Sequence, residues 1–125
     1  MHAEIVQEYT FEAAHFLPEV PSDHACARLH GHAYRARVHL VGPVDPRTGF
    51  VMDFHDLEAT CAPIVAQLDH HLLNEVEGLE NPTVERIAAW IWDRIAPALT
   101  MLACVEVWET PSSGVLYRGP EDRTR

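Results

Sequence analysis

Around residues 26–32 the chain reads Cys26-Ala27-Arg28-Leu29-His30-Gly31-His32, with two histidines two residues apart. In an extended strand, that spacing places both imidazoles on one face. A third histidine, His15, ends the upstream run Phe11-Glu12-Ala13-Ala14-His15. If the two segments pair as a hairpin, His15 faces the other two histidines, and three nitrogen ligands with one open position are typical of a catalytic zinc site. Cys26 is close enough to act as a nucleophile, a base or a fourth ligand.

The histidines belong to two segments in which apolar and polar residues alternate. Residues 3–16 and 30–41 both have the two-residue period of a half-buried strand. In each segment the histidines lie at one end of the mainly apolar face. The two segments are therefore predicted to be strands that share one site.

Two amphipathic helices are expected after the second strand. Asp53 is positioned to cap the first helix, whose apolar stripe continues to Leu68. Pro63 lies inside this stripe and marks either a kink or a restart of the helix. Pro82 suits the first turn of the second helix.

Residues 103–109 and 115–118 are predicted to form two further strands. The order of two strands, two helices and two strands predicts an α+β fold with a four-stranded antiparallel sheet and two helices on one face. At 125 residues, the chain is expected to be a single domain over 1–125. The open face and edges of so small a sheet need cover, which we expect from other subunits.

Composition excludes several classes of function. The formal net charge is −10, and all nine basic residues are arginines, which argues against a nucleic-acid-binding surface. The absence of lysine excludes a lysine Schiff base and a P-loop of the Gly-Lys type. No apolar run approaches the length of a membrane span, and no secretory signal is visible, so a cytoplasmic location is expected.

Asp69 and His70 form an acid next to an imidazole, followed by a second histidine, His71. A carboxylate that holds an imidazole in one tautomer is a common device for proton transfer. The alternative is a polar helix terminus, with a histidine near the negative end of the helix dipole.

Glu109 shares a strand face with Val105 and Val107. A carboxylate on an apolar face is unfavourable unless it meets a ligand or a cation. It can bind an amidine-like edge, such as the 2-amino group and ring N–H of a pterin, through two parallel hydrogen bonds. The alternative is a glutamate at a strand end that is already in water.

Taken together, these segments resemble the 6-pyruvoyltetrahydropterin synthase family, and in particular its 6-carboxytetrahydropterin synthase branch. The resemblance runs from about Thr10 to Gly119. Its blocks occur in the family's order: Phe11-Glu12-Ala13-Ala14-His15, Cys26-x-x-x-His30-Gly31-His32, Val44-Asp45-Pro46-x-Thr48-Gly49, Asp53-Phe54, Leu68-Asp69-His70-His71, Glu80-Asn81-Pro82-Thr83, Trp90-Ile91-Trp92-Asp93, Glu109-Thr110 and Tyr117-Arg118-Gly119.

The resemblance implies a specific site and reaction. It implies Zn²⁺ held by His15, His30 and His32. The remaining roles would be proton abstraction by Cys26, proton relay and pterin anchoring by Asp69, His70 and Glu109, and substrate contact at Thr83. The substrate would be 7,8-dihydroneopterin triphosphate. The products would be 6-carboxy-5,6,7,8-tetrahydropterin, acetaldehyde and triphosphate, in the pathway to queuosine.

The resemblance also implies the tunnelling fold, in which sheets of three subunits join into a β-barrel and two trimers stack as a hexamer with active sites between subunits. Arg28 is a candidate for binding the triphosphate, with Arg35, Arg37 or an arginine of another subunit as alternatives, because local charge can favour an anion on an acidic protein. The three-residue spacing between Cys26 and His30 favours the carboxytetrahydropterin branch. The alternatives are a 6-pyruvoyltetrahydropterin synthase and a non-catalytic protein that binds zinc or pterin.

Overall fold

The two alternating segments become the two longest strands of one sheet. The computed structural model describes residues 1–120, with β1 over His2–His15 and β2 over His30–Pro43. The strands pair antiparallel along their full length, from His2 opposite Pro43 to His15 opposite His30. The loop between them contains a short 3-10 turn over Ala25–Ala27. The predicted hairpin is therefore confirmed.

The sheet is completed by β3 over Leu102–Thr110 and β4 over Ser113–Tyr117. All neighbouring strands are antiparallel, in the order β1-β2-β3-β4. This order confirms the predicted four-stranded antiparallel sheet. The pairing of β2 with β3 has a register shift between His39 and Leu40.

The first helix, α1, runs over Phe54–Ala66. Asp53 caps it as expected, because its side chain accepts the N–H of His55 at 2.8 Å. Pro63 lies inside the helix, which continues to Ala66 beyond it. A second short 3-10 turn, Leu73–Glu75, follows before the next helix.

The second helix, α2, runs over Val84–Ile95. The prediction that Pro82 lies in its first turn is wrong, because Thr83 is the capping residue and accepts the N–H of Arg86 at 3.2 Å. Pro82 therefore precedes the cap. Its carbonyl is directed away from the helix, to a histidine of β1.

Both helices cover the same face of the sheet, and the core lies between the two layers. The buried positions of β2 alternate, with Tyr34, Ala36, Val38 and Leu40 facing the helices. We call the opposite side the helix-free face; it carries Arg35, Arg37 and His39 of β2. Within residues 1–120, neither helix has the length and apolar character that a membrane crossing requires.

Candidate metal centre and active site

Three histidines meet at one end of the sheet, on the side that faces the helices. In the register of β1 and β2, His15 lies opposite His30 and Ala13 lies opposite His32. Each of the three rings offers a nitrogen within 4.8 Å of the others. Their ring centroids are 4.5 to 5.2 Å apart in edge-to-face arrangements. The predicted set of converging nitrogen donors is therefore present, and we call it the three-histidine group.

Main-chain carbonyls orient two of these rings. The Nδ1–H of His15 donates to the carbonyl of Pro82 at 2.9 Å. The Nδ1–H of His30 donates to the carbonyl of Arg28 at 2.7 Å. A hydrogen bond at one ring nitrogen fixes the tautomer, so the lone pair of each ring is carried by Nε2.

The environment favours neutral donors. Burial lowers the pKa of His15, and His30 and His32 lower it further, while the Pro82 carbonyl and Glu109 act in the opposite direction. The net shift is downward. A neutral imidazole is the form that binds a metal ion. Three neutral nitrogen donors fit Zn²⁺, which commonly takes three protein ligands in catalytic sites.

Glu109 lies at the margin of the three-histidine group. Its Oε1 atom is 4.0 Å from Nε2 of His32, and 30% of its side chain is exposed. The carboxylate thus lies on the apolar strand face but reaches the opening of the site. A ligand that enters the site can meet both the carboxylate and the histidines.

Asp69 and His70 do contact each other, which their adjacency alone did not establish. Oδ2 of Asp69 lies 3.0 Å from Nδ1 of His70, and Oδ1 accepts the main-chain N–H of Glu12 at 2.9 Å. The hydrogen bond from Glu12 lowers the pKa of Asp69, and the one from His70 lowers it further. The pair is therefore an ionised carboxylate holding an imidazole, attached to the edge of β1.

Cys26 lies in the 3-10 turn between β1 and β2. Its main-chain N–H donates to Nδ1 of His24 at 3.0 Å. Among residues 1–120 it does not belong to the three-histidine group. The structure therefore does not make Cys26 a fourth ligand within one chain, and its catalytic role stays a prediction.

Two of the three predicted substrate-binding residues have structural roles. Arg28 supplies the carbonyl that orients His30, and Thr83 caps α2 with its hydroxyl. Both roles are compatible with contact to a substrate, because each uses a single atom of the residue. Both substrate-binding assignments stay predictions.

A cleft of about 500 Å³ lies beside the Asp69–His70 pair. It is lined by Glu12, Ala13, Ala14, Gly31, His32, Ala33, His70 and His71. Small residues from both strands leave this space open. Because His32 and His70 both line the cleft, it connects one member of the three-histidine group with the Asp69–His70 pair.

Two site neighbours were not identified from the sequence. Tyr34 is fully buried, and its hydroxyl lies 3.3 Å from Nδ1 and 3.4 Å from Nε2 of His15. Its position two residues after His32 did place it on the same strand face, but gave no sign of contact with His15. The second of these neighbours is the carbonyl of Pro82. Every residue has a main-chain carbonyl, so the sequence does not indicate which one will accept a hydrogen bond from His15.

Known proteins resemble this chain over nearly its whole length. The family model described as 6-pyruvoyl tetrahydropterin synthase matches residues 4–120. A Synechocystis protein named 6-carboxy-5,6,7,8-tetrahydropterin synthase is 44% identical over 122 residues, which is 93% of each chain. A Pyrococcus furiosus protein named dihydroneopterin monophosphate aldolase is 35% identical, over 92% of this chain and 96% of its own.

The fold similarity agrees with the sequence similarity. The structure of Caenorhabditis elegans 6-pyruvoyl tetrahydropterin synthase matches with a TM-score of 0.89 at 28% identity, covering 96% of this chain and 97% of that chain. The sheet order, the paired helices and the matched residue range are thus consistent with one another. The chain belongs to the 6-pyruvoyl tetrahydropterin synthase family.

Proposed function

We propose that this protein is a zinc-dependent lyase that makes 6-carboxy-5,6,7,8-tetrahydropterin in queuosine precursor synthesis. The substrates are 7,8-dihydroneopterin triphosphate and one water molecule, and acetaldehyde and triphosphate are the other products. The observation that carries this proposal is the 44% identity to the Synechocystis 6-carboxytetrahydropterin synthase across 93% of both chains. We also propose that the enzyme acts in the cytoplasm.

The three-histidine group would hold the Zn²⁺ ion. The convergence of three nitrogens, the carbonyl-fixed tautomers and the lowered pKa of His15, caused chiefly by burial, support this assignment. When bound, zinc acts as a Lewis acid that polarises oxygen atoms of the substrate side chain. His15, His30 and His32 would serve as ligands, and the proton transfers would belong to other side chains.

The remaining side chains orient the substrate and move protons. Cys26 acts as the base that removes a proton from the side-chain carbon next to the pterin ring. His70 returns a proton to the substrate, and Asp69 holds His70 in the required tautomer. Glu109 accepts two hydrogen bonds from the amino group and ring N–H of the pterin and so fixes the reacting carbon.

Binding of the triphosphate would involve Arg28, while Thr83 would lie near the pterin. The Arg28 side chain is exposed in the loop before β2. A cationic side chain at that position can attract an anion even when the protein as a whole is acidic.

The complete site is proposed to form between subunits of a trimer or a hexamer. Within one chain, Asp69 is the ion-pair partner of His70, and neither Cys26 nor this pair belongs to the three-histidine group. The outer edges of β1 and β4 each lack a neighbouring strand in the sheet of residues 1–120. Pairing of such edges between copies would close the sheets into a barrel and bring the separate groups together.

The test is incubation of zinc-loaded protein with 7,8-dihydroneopterin triphosphate, with products identified by mass. We expect 6-carboxytetrahydropterin together with acetaldehyde. Formation of 6-pyruvoyltetrahydropterin would instead establish the second candidate function, which the fold similarity to the C. elegans synthase favours. Tight pterin binding without any product would contradict both and indicate a binding protein.

Replacing Cys26 by alanine tests the assignment of the base. We expect Cys26→Ala to keep one Zn²⁺ per chain and to lose at least about 100-fold in kcat, which is the lower range for general acid–base catalysis. Cys104→Ala is the matched control, because it removes a buried thiol on β3. Loss of zinc together with activity in Cys26→Ala would show that the thiol is a ligand instead.

A further inference from the structure

The main chain of Cys26 is held by hydrogen bonds on both sides of the residue. Its N–H donates to Nδ1 of His24 at 3.0 Å, and its carbonyl accepts the N–H of Leu17 at 2.8 Å. Leu17 lies two residues after the end of β1, so the second bond joins the turn to the chain that leaves this strand. The first bond is made by a side chain, and it therefore depends on the residue at position 24.

His24 is the capping residue of the three-residue turn that contains Cys26. Its backbone is extended, and its side chain accepts the Cys26 N–H in the way that an N-cap residue does. The N–H of His24 donates to the carbonyl of Pro21 at 2.9 Å, and its carbonyl accepts the N–H of Ala27 at 3.0 Å. These main-chain bonds fix the backbone of His24, so its imidazole is presented to Cys26 from a defined position.

The same turn connects Cys26 with the three-histidine group. It ends at Arg28, whose N–H donates to the carbonyl of Ala25 at 3.2 Å. The carbonyl of Arg28 accepts the Nδ1–H of His30 at 2.7 Å. One end of the turn thus orients a histidine of the group, while the other end, at His24, fixes the main chain of Cys26.

We propose that His24 is a positioning residue that holds Cys26 in the conformation from which its thiol takes a proton from the substrate. This inference rests on the proposed function, in which Cys26 is the base. Placement matters for such a group, because the rate of the chemical step falls steeply when the reacting atoms leave contact distance. The capping bond is local to the turn, so its loss displaces Cys26 and leaves the sheet folded.

Three substitutions of His24 separate the accepting atom from the ring that carries it. Asparagine has its Oδ1 bonded to Cγ, as histidine has its Nδ1, and asparagine is a preferred N-cap residue. Glutamine places its amide one bond farther from the main chain, and alanine has no side-chain acceptor. We expect kcat to fall about five- to 100-fold in His24→Ala and His24→Gln, between the loss of one net hydrogen bond and a displacement of about 1 Å. His24→Asn should restore most of the rate.

The experiment combines steady-state kinetics of the zinc-loaded protein on 7,8-dihydroneopterin triphosphate with amide hydrogen exchange followed by NMR. The Cys26 amide should exchange at least about fivefold faster in His24→Ala and His24→Gln than in the wild type or His24→Asn. The KM, the zinc content and the melting temperature should stay the same in all three variants. His55→Ala is the matched control, because His55 is an exposed histidine in the first turn of α1, and this variant should behave as the wild type does.

The outcomes separate this inference from the proposed function. An unchanged kcat in His24→Ala, or an unchanged exchange rate of the Cys26 amide, overturns the role of His24 and leaves Cys26 as the base. An asparagine variant as slow as the alanine variant also overturns it, because the accepting atom would then have no effect. Loss of zinc from His24→Ala overturns it as well, since the turn would then act through His30. Absence of product from the wild type, or full activity of Cys26→Ala, overturns the proposed role of Cys26 and this inference together.

Discussion

Replacing Glu106 by glutamine tests a charged network on the helix-free face of the sheet. Only 9% of the Glu106 side chain is exposed. Its Oε1 accepts the indole N–H of Trp108 at 2.9 Å, and its Oε2 contacts Nε2 of His39. Nδ1 of His39 lies 2.7 Å from a carboxylate oxygen of Glu4. The two ring nitrogens of His39 thus face two carboxylates, and the side chain links β1, β2 and β3.

The expected loss of stability follows from the interactions that a glutamine side chain retains at position 106. Its amide oxygen can still accept from Trp108, but the negative charge that faces His39 is lost. A hydrogen bond to a charged group contributes about 1.5–3 kcal/mol and a neutral one about 1 kcal/mol. We therefore expect Glu106→Gln to lower the free energy of unfolding by about 0.5–2 kcal/mol at pH 7. For a chain of this size that is roughly 2–8 °C in melting temperature.

The pH dependence provides a second, independent signature. Burial raises the pKa of Glu106, but hydrogen bonds from Trp108 and His39 and the charges of His39 and Arg37 outweigh it, and the net shift is downward. The folded state therefore binds this proton less readily than the unfolded state. The stabilisation is present above the ordinary glutamate pKa, near 4.5, and is lost as the pH falls through the lower pKa of the folded state.

The assay is thermal unfolding followed by circular dichroism from acidic to neutral pH. The gap between wild type and Glu106→Gln should be largest near neutrality and should narrow in acid. Glu8→Gln is the control, because Glu8 pairs with Arg37 at 2.8 Å but is 41% exposed, and it should cost no more than about 0.5 kcal/mol. Equal stability of Glu106→Gln and wild type at neutral pH, or a gap that is the same at all pH values, would refute the reasoning.

Three further substitutions separate catalytic from structural roles. Asp69→Asn should reduce kcat by about 100-fold or more while the melting temperature changes little, since an amide cannot hold His70 in the same tautomer; steady-state kinetics beside thermal unfolding checks this. Thr83→Ala should lose about 1 kcal/mol of stability with the helix cap, whereas Thr83→Ser should not, as measured by urea unfolding. Gly114→Ala places a methyl carbon 2.4 Å from the Trp108 ring, so about 1–3 kcal/mol should be lost and the tryptophan fluorescence should change; unchanged emission and stability would contradict this geometry.

The strand pairing and the convergence of the three histidines could be predicted from the sequence because both depend on local periodicity. Side chains alternate along a strand, so the parity of His30 and His32 is enough to fix their common face. Pairing of the flanking runs then brings His15 opposite His30, as the structure confirms. In the same way, Glu109 is four residues after Val105 on one strand, so its carboxylate was predicted to lie on the face that the histidines share.

The hydrogen-bond partners of these side chains could not be predicted, because the partners are main-chain atoms of residues that are distant in sequence. The carbonyl that orients His15 belongs to Pro82, 67 residues away in sequence. If Pro82 lay within the first turn of α2, as expected from the sequence, its carbonyl would point into the helix. Thr83 caps α2 instead, so Pro82 lies before the helix and its carbonyl can accept a hydrogen bond from β1.

The contact between Asp69 and His70 required a backbone conformation that the sequence does not signal. His70 has a φ of +58°, which is uncommon for a residue other than glycine. Its main-chain N–H donates to the carbonyl of Glu12 at 2.6 Å, and the N–H of Ala14 donates to the carbonyl of His71 at 3.1 Å. The edge of β1 thus holds the turn in the conformation that presents His70.

The dependence of the site on main-chain atoms bears on how related proteins differ in their reactions. This chain is similar over nearly its whole length to proteins named for three different pterin reactions. Any residue can supply the carbonyls at positions 28 and 82 that orient His30 and His15, so substitutions there leave the rings in place. Side chains that line the cleft, such as Glu12 and His71, have no part in that orientation. The choice of product is therefore expected to change with the cleft, while the three-histidine group stays the same.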